Sequence, residues 1–345
     1  MIWIFVLAAG FWGLGQVMGV PQSRRWVLIG ILFSAVVLAH LIFPAEHALP
    51  RAIGGSLSGW LTFVIVLLVT TGYGRVVGAL KARAPKPVVD QDGPFTDTEL
   101  DRYARHIVLR EIGGPGQRAL KDAKVLVVGA GGLGSPALLY LAAAGVGTIG
   151  VIDDDVVDNS NLQRQVIHND ADIGLAKVFS AEVTMRAQNP AITVRPYNRR
   201  LTEDIAEDLM GDYDLILEGS DNFATRYLVN RVAARLGKPL IGAALSQWEG
   251  QISTFDPASG APCYQCIFPE APAPGLAPSC SEAGVVGPIP GVMGSMMAVE
   301  AVKEITGAGE GLRGRMLIYD AQYGDVRVMK TKRREDCPVC GGAHA

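Results

Sequence analysis

The first 80 residues alternate long apolar segments with short polar connections. Residues 2–21, 26–44 and 56–78 are almost free of charged side chains. Each is close to the roughly 20 apolar residues that cross a bilayer as a helix. The first segment lacks the basic start and the cleavage site of a signal peptide, while buried core helices are the alternative for the other two. The pattern predicts a membrane anchor over residues 1–80 with three transmembrane helices.

Cations flank these apolar segments unevenly, which predicts their orientation. Arg24 and Arg25 follow the first segment, and the stretch after the third contains Arg75, Lys81, Arg83 and Lys86. Basic connections stay on the cytoplasmic side of a membrane. We therefore expect a multi-pass protein of the inner (cytoplasmic) membrane, with its N-terminus outside and everything after Gly74 in the cytoplasm. Nothing in the three segments suggests transport, so the anchor is expected only to localise the rest of the chain.

A polar, proline-rich linker separates the apolar part from the remainder. Residues 81–95 include "KARAPKPVVDQDGP", a composition typical of a semi-rigid tether. The soluble domain, residues 96–345, then begins with Thr96 and Glu99 at the spacing of a capping box, which predicts a helix start.

The segment "KVLVVGAGGLGSPALLYLAAAGVGTIGVIDDD" has the pattern of strand, tight turn, helix and second strand. Gly129, Gly131 and Gly134 match the G-x-G-x-x-G spacing that brings backbone close to phosphates at a helix N-terminus. Asp153 ends the second strand, where a carboxylate can accept hydrogen bonds from ribose hydroxyls. The prediction is an α/β, Rossmann-like, doubly wound and mostly parallel sheet.

By itself this motif is typical of nicotinamide or flavin enzymes, but two further stretches favour a polyphosphate. Asn161, Arg164 and Lys177 follow the second strand, and arginine can bind phosphate with two hydrogen bonds; a solvated charged loop is the alternative. The apolar run "DLIL" is followed by Ser220-Asp221-Asn222, at the end of a strand where ligands bind. Asp221 could hold Mg²⁺ together with phosphate oxygens, or it could merely cap the next helix.

Four of the five cysteines form two C-x₂-C pairs, Cys263 with Cys266 and Cys337 with Cys340. Two such pairs in a cytosolic protein predict a closed, structural zinc site with four cysteine ligands; disulfides are the alternative, disfavoured on the reducing side of the membrane. Cys280 is left over, after the Pro/Ala-rich run "PEAPAPGLAP", and is a candidate acceptor of an activated acyl group.

Composition adds one exclusion. The formal net charge of −3 is near neutral and does not suggest the basic face that a nucleic-acid partner would require, so we expect no such partner. The apolar fraction of 49% is high for a soluble protein, and the excess lies in the first 80 residues.

From about Thr96 to Gly341 the chain resembles the MoeB/ThiF/HesA family of E1-like adenylyltransferases. Its motifs are most similar to those of the molybdopterin-synthase type. The resemblance is carried by "RYARHIVLREIGGPGQ", "GAGGLGSP", "NLQRQ", "GSDNFATR", "EGQIS", "CSEAGVVGP" and the two C-x₂-C pairs. It implies that ATP, with Mg²⁺, adenylates the C-terminal Gly-Gly carboxylate of a ubiquitin-like sulfur carrier. Acyl-adenylate and pyrophosphate are the products.

The resemblance also implies roles for individual residues. Arg105 would reach the γ-phosphate from the second subunit of a homodimer; His106 stands where the family usually has glutamine. The implied catalytic residues are Arg105, Arg164, Lys177, Asp221 and Cys280. The implied ATP-binding residues are Gly129, Gly131, Gly132, Gly134, Asp153, Asn161, Arg164, Gln165, Lys177, Asp221 and Asn222, with Asp221 as the magnesium ligand.

The carrier is expected to be of the MoaD type, for molybdenum cofactor biosynthesis, with a ThiS-type carrier of thiamine biosynthesis as the alternative. A separate protein is expected to supply sulfur, because no sulfurtransferase-like segment follows Cys340. Two other hypotheses remain open: a nicotinamide-dependent oxidoreductase, and a membrane-tethered docking protein without turnover. ATP–pyrophosphate exchange separates the first of these from an adenylyltransferase.

Overall fold

A computed structural model describes residues 2–83, 93–273 and 283–342, except for the side chains of residues 78–83. The chain divides into two compact units, Met1–Asp90 and Gln91–Ala345. Most of the predicted linker, residues 84–92, lies outside the described residues, and so does Cys280.

The first unit is helical. Its elements are α1 (Ile2–Val17), α2 (Gln22–Ile42), α3 (Ala48–Ile53) and α4 (Leu57–Arg83). Aromatic side chains join three of these helices: Phe5 of α1 lies 5.8 Å from Phe33 of α2 and 5.3 Å from Phe63 of α4, between ring centroids. Trp60 is fully buried within this cluster and donates a hydrogen bond to the carbonyl oxygen of Gly54 at 2.9 Å.

The prediction of three transmembrane helices is wrong in one respect, because only two described helices have the required length and composition. These are α2, with a mean hydropathy of 2.1, and residues Leu57–Val77 of α4, with a mean hydropathy of 1.7. The helix α1 has only 16 residues, since the backbone turns at Gly19, with φ +68°, and Pro21 follows. Sixteen residues rise about 24 Å, which is less than the ~30 Å hydrocarbon core.

The second unit is built on one eight-stranded sheet with the strand order β3-β2-β1-β4-β5-β6-β7-β8. The neighbours from β3 to β5 are parallel, and those from β5 to β8 are antiparallel. The strands are β1 (Lys124–Val128), β2 (Thr148–Asp153), β3 (Thr193–Asn198), β4 (Leu215–Glu218), β5 (Leu240–Leu245), β6 (Glu249–Phe255), β7 (Arg315–Asp320) and β8 (Asp325–Lys330).

Helices cover both faces of this sheet, as predicted for a doubly wound fold. One buried cluster joins the sheet to side chains such as Leu138, Met185 and Met297, and another joins it to Met210 and Val229. The helices are α5 (Asp97–Ile107), α6 (Gly113–Asp122), α7 (Gly134–Ala144), α8 (Lys177–Gln188), α9 (Glu203–Gly211), α10 (Phe223–Leu236), α11 (Tyr264–Ile267) and α12 (Pro288–Thr306).

Local sequence signals coincide with several helix ends, and the first of these confirms the predicted helix start. The capping box at the start of α5 is present in both directions between Thr96 and Glu99. Gly145 ends α7 in the left-handed conformation, with φ +81°, and Gly237 ends α10 in the same way.

The antiparallel half of the sheet was not part of the sequence prediction. Only residues 246–248 separate β5 from β6, whereas a parallel crossover needs a dozen residues or more. The short connection therefore forces β6 to run antiparallel to β5, and β7 and β8 extend the sheet from there.

Candidate active site

A cleft of about 1240 Å³ lies over the carboxyl ends of the parallel strands. It brings together residues that are far apart in the chain and that the sequence motifs predict as ligands of ATP. The lining includes Gly129, Gly131, Gly132, Asp153, Asn161, Arg164, Gln165, Lys177, Asp221 and Asn222. Gly134, the first residue of α7, is not among the residues that line the cleft.

Two glycines of the loop between β1 and α7 have a steric reason to be glycine. Gly129 has φ +98°, a conformation that side chains strongly disfavour. A Cβ atom on Gly134 would lie 1.9 Å from the carbonyl oxygen of Gly129. The turn therefore closes only without side chains at these positions, and the start of α7 faces the cleft.

The carboxylate of Asp153 holds the glycine-rich loop through the backbone of Ala130. Asp153 accepts a hydrogen bond from the amide of Ala130 at 2.7 Å and another from the amide of Asp155 at 2.8 Å. Among the described residues, no group accepts the amide hydrogens of Gly131 or Gly132. These two amides line the cleft as free donors, which is the arrangement that binds a phosphate.

The Asp153 carboxylate is mostly buried, and this burial raises its pKa, while the amides of Ala130 and Asp155 oppose the rise. A carboxylate has about four lone-pair sites, and only two are used here. Asp153 can therefore still accept a hydrogen bond from a ligand hydroxyl, as expected from its place at the end of β2.

Arg164 is anchored through two of its nitrogen atoms. Its Nη1 donates to the carbonyl oxygen of Ser160 at 3.1 Å, and its Nη2 donates to Oδ1 of Asn161 at 3.0 Å. The remaining N–H groups of the guanidinium are available to an anion. Gln165 also donates to Oδ1 of Asn161, at 3.3 Å; its own Oε1 is buried without a partner among the described residues.

Lys177 begins α8 and carries a nearly buried ammonium group. Its Nζ lies 2.7 Å from Oδ2 of Asp155, whose side chain is exposed. One of the three ammonium hydrogens is thereby used and two remain. The burial of this cation next to the glycine-rich loop gives the cleft a fixed positive charge.

Asn222, and not Asp221, is the N-cap of α10. The Asn222 side chain accepts a hydrogen bond from the amide of Thr225 at 2.8 Å. Asp221 is exposed to the cleft and has no hydrogen-bond or ion-pair partner among the described residues. The capping role left open by the sequence therefore belongs to its neighbour, and the Asp221 carboxylate is free to bind a cation.

Beneath Asp221 lies a buried ion pair that was not predicted from the sequence. Oε2 of Glu218 lies 3.5 Å from Nε of Arg226, and both side chains are at least nine-tenths buried. Glu218 accepts hydrogen bonds from the amide and the hydroxyl of Ser220, and Arg226 donates to the carbonyl oxygen of Ser220 at 2.7 Å. Ser220 is thus held on both sides, which fixes the turn that presents Asp221.

Burial raises the pKa of Glu218, and the charge of Arg226 opposes the rise. The carboxyl end of β4 and the fourth position of α10 bring the two side chains together. The only sequence signal was a charged residue ending an otherwise apolar strand, which is a costly position unless the charge is paired.

His168 is a second supporting residue that the sequence motifs did not indicate. It is buried, with Nε2 at 3.0 Å from the carbonyl oxygen of Ala130 and Nδ1 at 2.8 Å from Oγ of Ser180. Burial lowers its pKa. The imidazole therefore supports the glycine-rich loop from behind and is mostly neutral at pH 7.

Arg105 is exposed on α5 and is not among the residues that line the cleft of its own chain. The neighbouring His106 turns inward, where Nδ1 lies 3.1 Å from Oε1 of Gln117. Gln117 in turn donates to the carbonyl oxygen of Ala144 at the end of α7. The unusual histidine therefore has a structural contact, while the roles of Arg105 and Cys280 stay predictions.

The four cysteines of the two C-x₂-C pairs converge, and none of them is in a disulfide. Their sulfur atoms all lie within 4.8 Å of one another, with separations of 3.9 Å for Cys263–Cys266, 3.6 Å for Cys263–Cys337 and 3.3 Å for Cys266–Cys340. Tetrahedral zinc with bonds of about 2.3 Å requires sulfur separations of about 3.8 Å. The cluster fits such an ion.

The surroundings of the sulfur atoms support a metal as well. The amide of Arg334 lies 3.4 Å from Sγ of Cys266, and Nδ2 of Asn230 lies 3.7 Å from Sγ of Cys263. Burial raises the pKa of Cys263, so a thiolate there needs a cation beside it. Because Asn230 lies on α10, the cluster fastens the C-terminal segment to the helix that follows Asp221.

Comparison with known proteins agrees with this geometry. Residues 103–339 match the model of the ThiF family. The chain is 48% identical to the sulfur carrier protein adenylyltransferase of Thermus thermophilus over 251 residues, which are 72% of this chain and 93% of that protein.

It is also 50% identical over 255 residues to the probable adenylyltransferase/sulfurtransferase MoeZ of Mycobacterium tuberculosis. That match covers 73% of this chain and only 65% of MoeZ. Among solved structures, Escherichia coli MccB superposes with a TM-score of 0.62 at 23% identity, over 70% of this chain and 72% of that one. This last similarity concerns the fold alone.

Proposed function

The chain belongs to the ThiF family, and we propose that it adenylates the C-terminal carboxylate of a ubiquitin-like sulfur carrier of the MoaD type. The observation that carries the proposal is the cleft itself. Free amides at Gly131 and Gly132, the cations of Arg164 and Lys177, and the unpaired carboxylate of Asp221 all face one space among the described residues. Such a set of groups suits a triphosphate with a divalent cation.

In the proposed reaction, a carboxylate oxygen of the carrier attacks the α-phosphorus of ATP. The new bond joins the acyl oxygen to phosphorus, and the bond from phosphorus to the bridging oxygen of the β-phosphate breaks. The electron pair leaves with pyrophosphate, and the acyl-adenylate remains. The attacking carboxylate is already ionised at neutral pH, so no general base is needed.

Charge repulsion is the main barrier to this attack, since two anions must approach each other. Arg164 and Lys177 supply fixed positive charge, and each such contact contributes on the order of 3 kcal/mol to transition-state stabilisation. A bound Mg²⁺, held by Asp221 and phosphate oxygens, would neutralise the leaving pyrophosphate. The amides of Gly131 and Gly132 would align the phosphates with little reorganisation.

The relative from Thermus thermophilus is named for sulfur carrier proteins, which supports a carrier of this class and leaves MoaD-type and ThiS-type carriers as alternatives. A direct test incubates the purified chain with ATP, Mg²⁺ and an equal mixture of both carriers. Mass spectrometry is expected to detect the AMP adduct on the MoaD-type carrier, and an adduct on the ThiS-type carrier alone would reverse the assignment.

We also propose a homodimer, because Arg105 does not reach the cleft of its own chain. A second copy would cover exposed apolar side chains, of which Val156 lines the cleft. They are Val156, Val166, Leu175, Phe179 and Val183, all at least 41% exposed. Light scattering should give the mass of a dimer for the parent and of a monomer for Phe179→Arg. A monomeric parent would contradict the proposal.

The membrane anchor remains part of the proposal, with α2 and the first 21 residues of α4 as its two spans. Arg24 and Arg25 at the start of α2 and Arg75 near the end of the second span then lie on one side, because two crossings separate them. We therefore propose that the active site lies in the cytoplasm. The expectation that the N-terminus lies outside depended on α1 as a third span. Because α1 is too short to span, that expectation is not part of this proposal. When membranes that contain the protein are washed with alkaline carbonate, the protein should stay in the membrane pellet. Release of the protein into the supernatant would contradict the anchor.

A further inference from the structure

Behind the glycine-rich loop lies a chain of polar groups that the proposed reaction does not use. It runs from the carbonyl oxygen of Ala130 to His168, Ser180 and Asp172, with heavy-atom separations of 3.0, 2.8 and 2.8 Å in that order. Both His168 and Ser180 are at least nine-tenths buried. Water cannot easily replace a missing hydrogen bond at such a site.

This chain is one hydrogen short when the imidazole is neutral. The two ends, a carbonyl oxygen and an ionised carboxylate, only accept hydrogen bonds. Three contacts therefore need three hydrogens, whereas a neutral imidazole and one hydroxyl supply two. An imidazolium would complete all three: Nε2–H to Ala130, Nδ1–H to Ser180, and the Ser180 hydroxyl to Asp172.

The contact with Ala130 also sets the direction of a phosphate-binding amide. In a trans peptide the carbonyl and the following amide hydrogen point in opposite directions. Because Nε2 of His168 holds the Ala130 carbonyl inward, the amide of Gly131 points away from His168 toward the cleft. That amide has no acceptor among the described residues.

We propose that His168 is a positioning residue of the glycine-rich loop, and that it takes up a proton from solvent when an anionic nucleotide binds. This inference rests on the proposed function only in taking a nucleotide as the ligand. The negative charge of the phosphates stabilises an imidazolium on the other side of the same peptide group. The new Nδ1–H then donates to Oγ of Ser180, so that the Ser180 hydroxyl can donate to Asp172 and all three hydrogen bonds are formed.

Burial has the largest effect on His168 and lowers its pKa, so that the imidazole is mostly neutral, while the hydrogen bond to Ala130 opposes this effect. Among the charged groups that face His168, Lys177 on α8 also lowers the pKa, whereas Asp153 at the end of β2 and Asp172 raise it. A bound triphosphate favours the imidazolium, because it compensates the charge of Lys177.

The test is isothermal titration calorimetry of the full chain with MgATP, without any carrier, in two buffers of different ionisation enthalpy. The difference in apparent enthalpy gives the number of protons taken up. The matched variant is His168→Gln, which keeps a donor toward Ala130 and cannot titrate. His47→Gln is the control for the loss of a histidine that belongs to the N-terminal unit.

We expect the parent and His47→Gln to take up about half a proton more than His168→Gln at the pH of greatest uptake. His168→Gln should bind MgATP within about threefold of the parent, and His168→Leu should bind about tenfold more weakly at every pH. Ser180→Ala should reduce the uptake while leaving His168 in place.

Equal proton uptake by the parent and His168→Gln, with nucleotide binding intact, would overturn this inference and leave the proposed function standing. Unchanged affinity of the folded His168→Leu variant would overturn the positioning role. Absence of any binding heat in the parent would overturn the nucleotide site, and both proposals with it.

Discussion

The side chain of Asn222 accepts a hydrogen bond from the amide of Thr225 at 2.8 Å, so that Asn222 and the adjacent Asp221 have different roles. Asn222 stabilises the start of α10, while Asp221 is left free at the cleft. The two positions should therefore respond differently to substitution.

Asp221→Asn is expected to lower the rate of adenylation at least about 100-fold, because it removes the charge that would hold the metal and its phosphates. Thermal unfolding of this variant should match the parent. Asn222→Ala should instead lower the free energy of unfolding by about 1 kcal/mol, the usual cost of losing a helix cap. A similar loss of stability in both variants would contradict this division.

The glycine-rich loop offers a matched pair of alanine substitutions. A Cβ at Gly134 would overlap the carbonyl oxygen of Gly129, whereas a Cβ at Gly131 comes no closer than 3.6 Å to any described atom. Gly134→Ala should fold poorly or with a much lower melting temperature, and Gly131→Ala should melt with the parent. Differential scanning calorimetry measures both, and equal melting of the two variants would refute the tight turn at Gly129 and Gly134.

The buried pair of Glu218 and Arg226 predicts a large cost when one partner is removed. Arg226→Met should destabilise the protein by about 3–5 kcal/mol, because Glu218 would remain buried without a counter-charge. Urea unfolding followed by far-UV circular dichroism measures this. The double variant Glu218→Gln, Arg226→Met is the control, and it should recover part of the loss.

His168 predicts a pH dependence of stability that is separate from its effect on nucleotide binding. Its pKa in the folded protein lies below the ordinary value of 6.5. The unfolded chain therefore binds the proton more readily between these two pKa values, so stability falls as the pH drops below about 6.5. Relative to His168→Gln, the parent should lose unfolding free energy on acidification; a constant difference from pH 7.5 to 5 would contradict this.

The cysteine cluster predicts one tightly bound zinc ion per chain. Cys337→Ser should lose the metal and unfold at lower temperature, since the ion fastens the C-terminal segment to the rest of the unit. Cys280→Ser, which leaves both C-x₂-C pairs intact, should retain one zinc. Elemental analysis of the purified variants decides this, and a metal-free parent would refute the site.

Much of the site follows from sequence because its signals are local. The spacing of Gly129 and Gly134, the strand end at Asp153 and the two C-x₂-C pairs each depend on a few consecutive residues. Glu218 and His168 could not be recognised, because their partners are set by the tertiary fold: His168 contacts Ala130, 38 residues earlier. The length of α1 was overestimated since Gly19 and Pro21 end the helix inside an apolar run.

The central claim is that the cleft uses the charges of Arg164 and Asp221 to transfer AMP from ATP to a carrier carboxylate. The most direct measurement is pyrophosphate release by the full chain with ATP, Mg²⁺ and a sulfur carrier ending in Gly-Gly. The parent should release pyrophosphate only when the carrier is present, and Arg164→Ala and Asp221→Asn should each be slower by about 100-fold or more. Release by either folded variant at the rate of the parent, or no carrier-dependent release by the parent, would contradict the account.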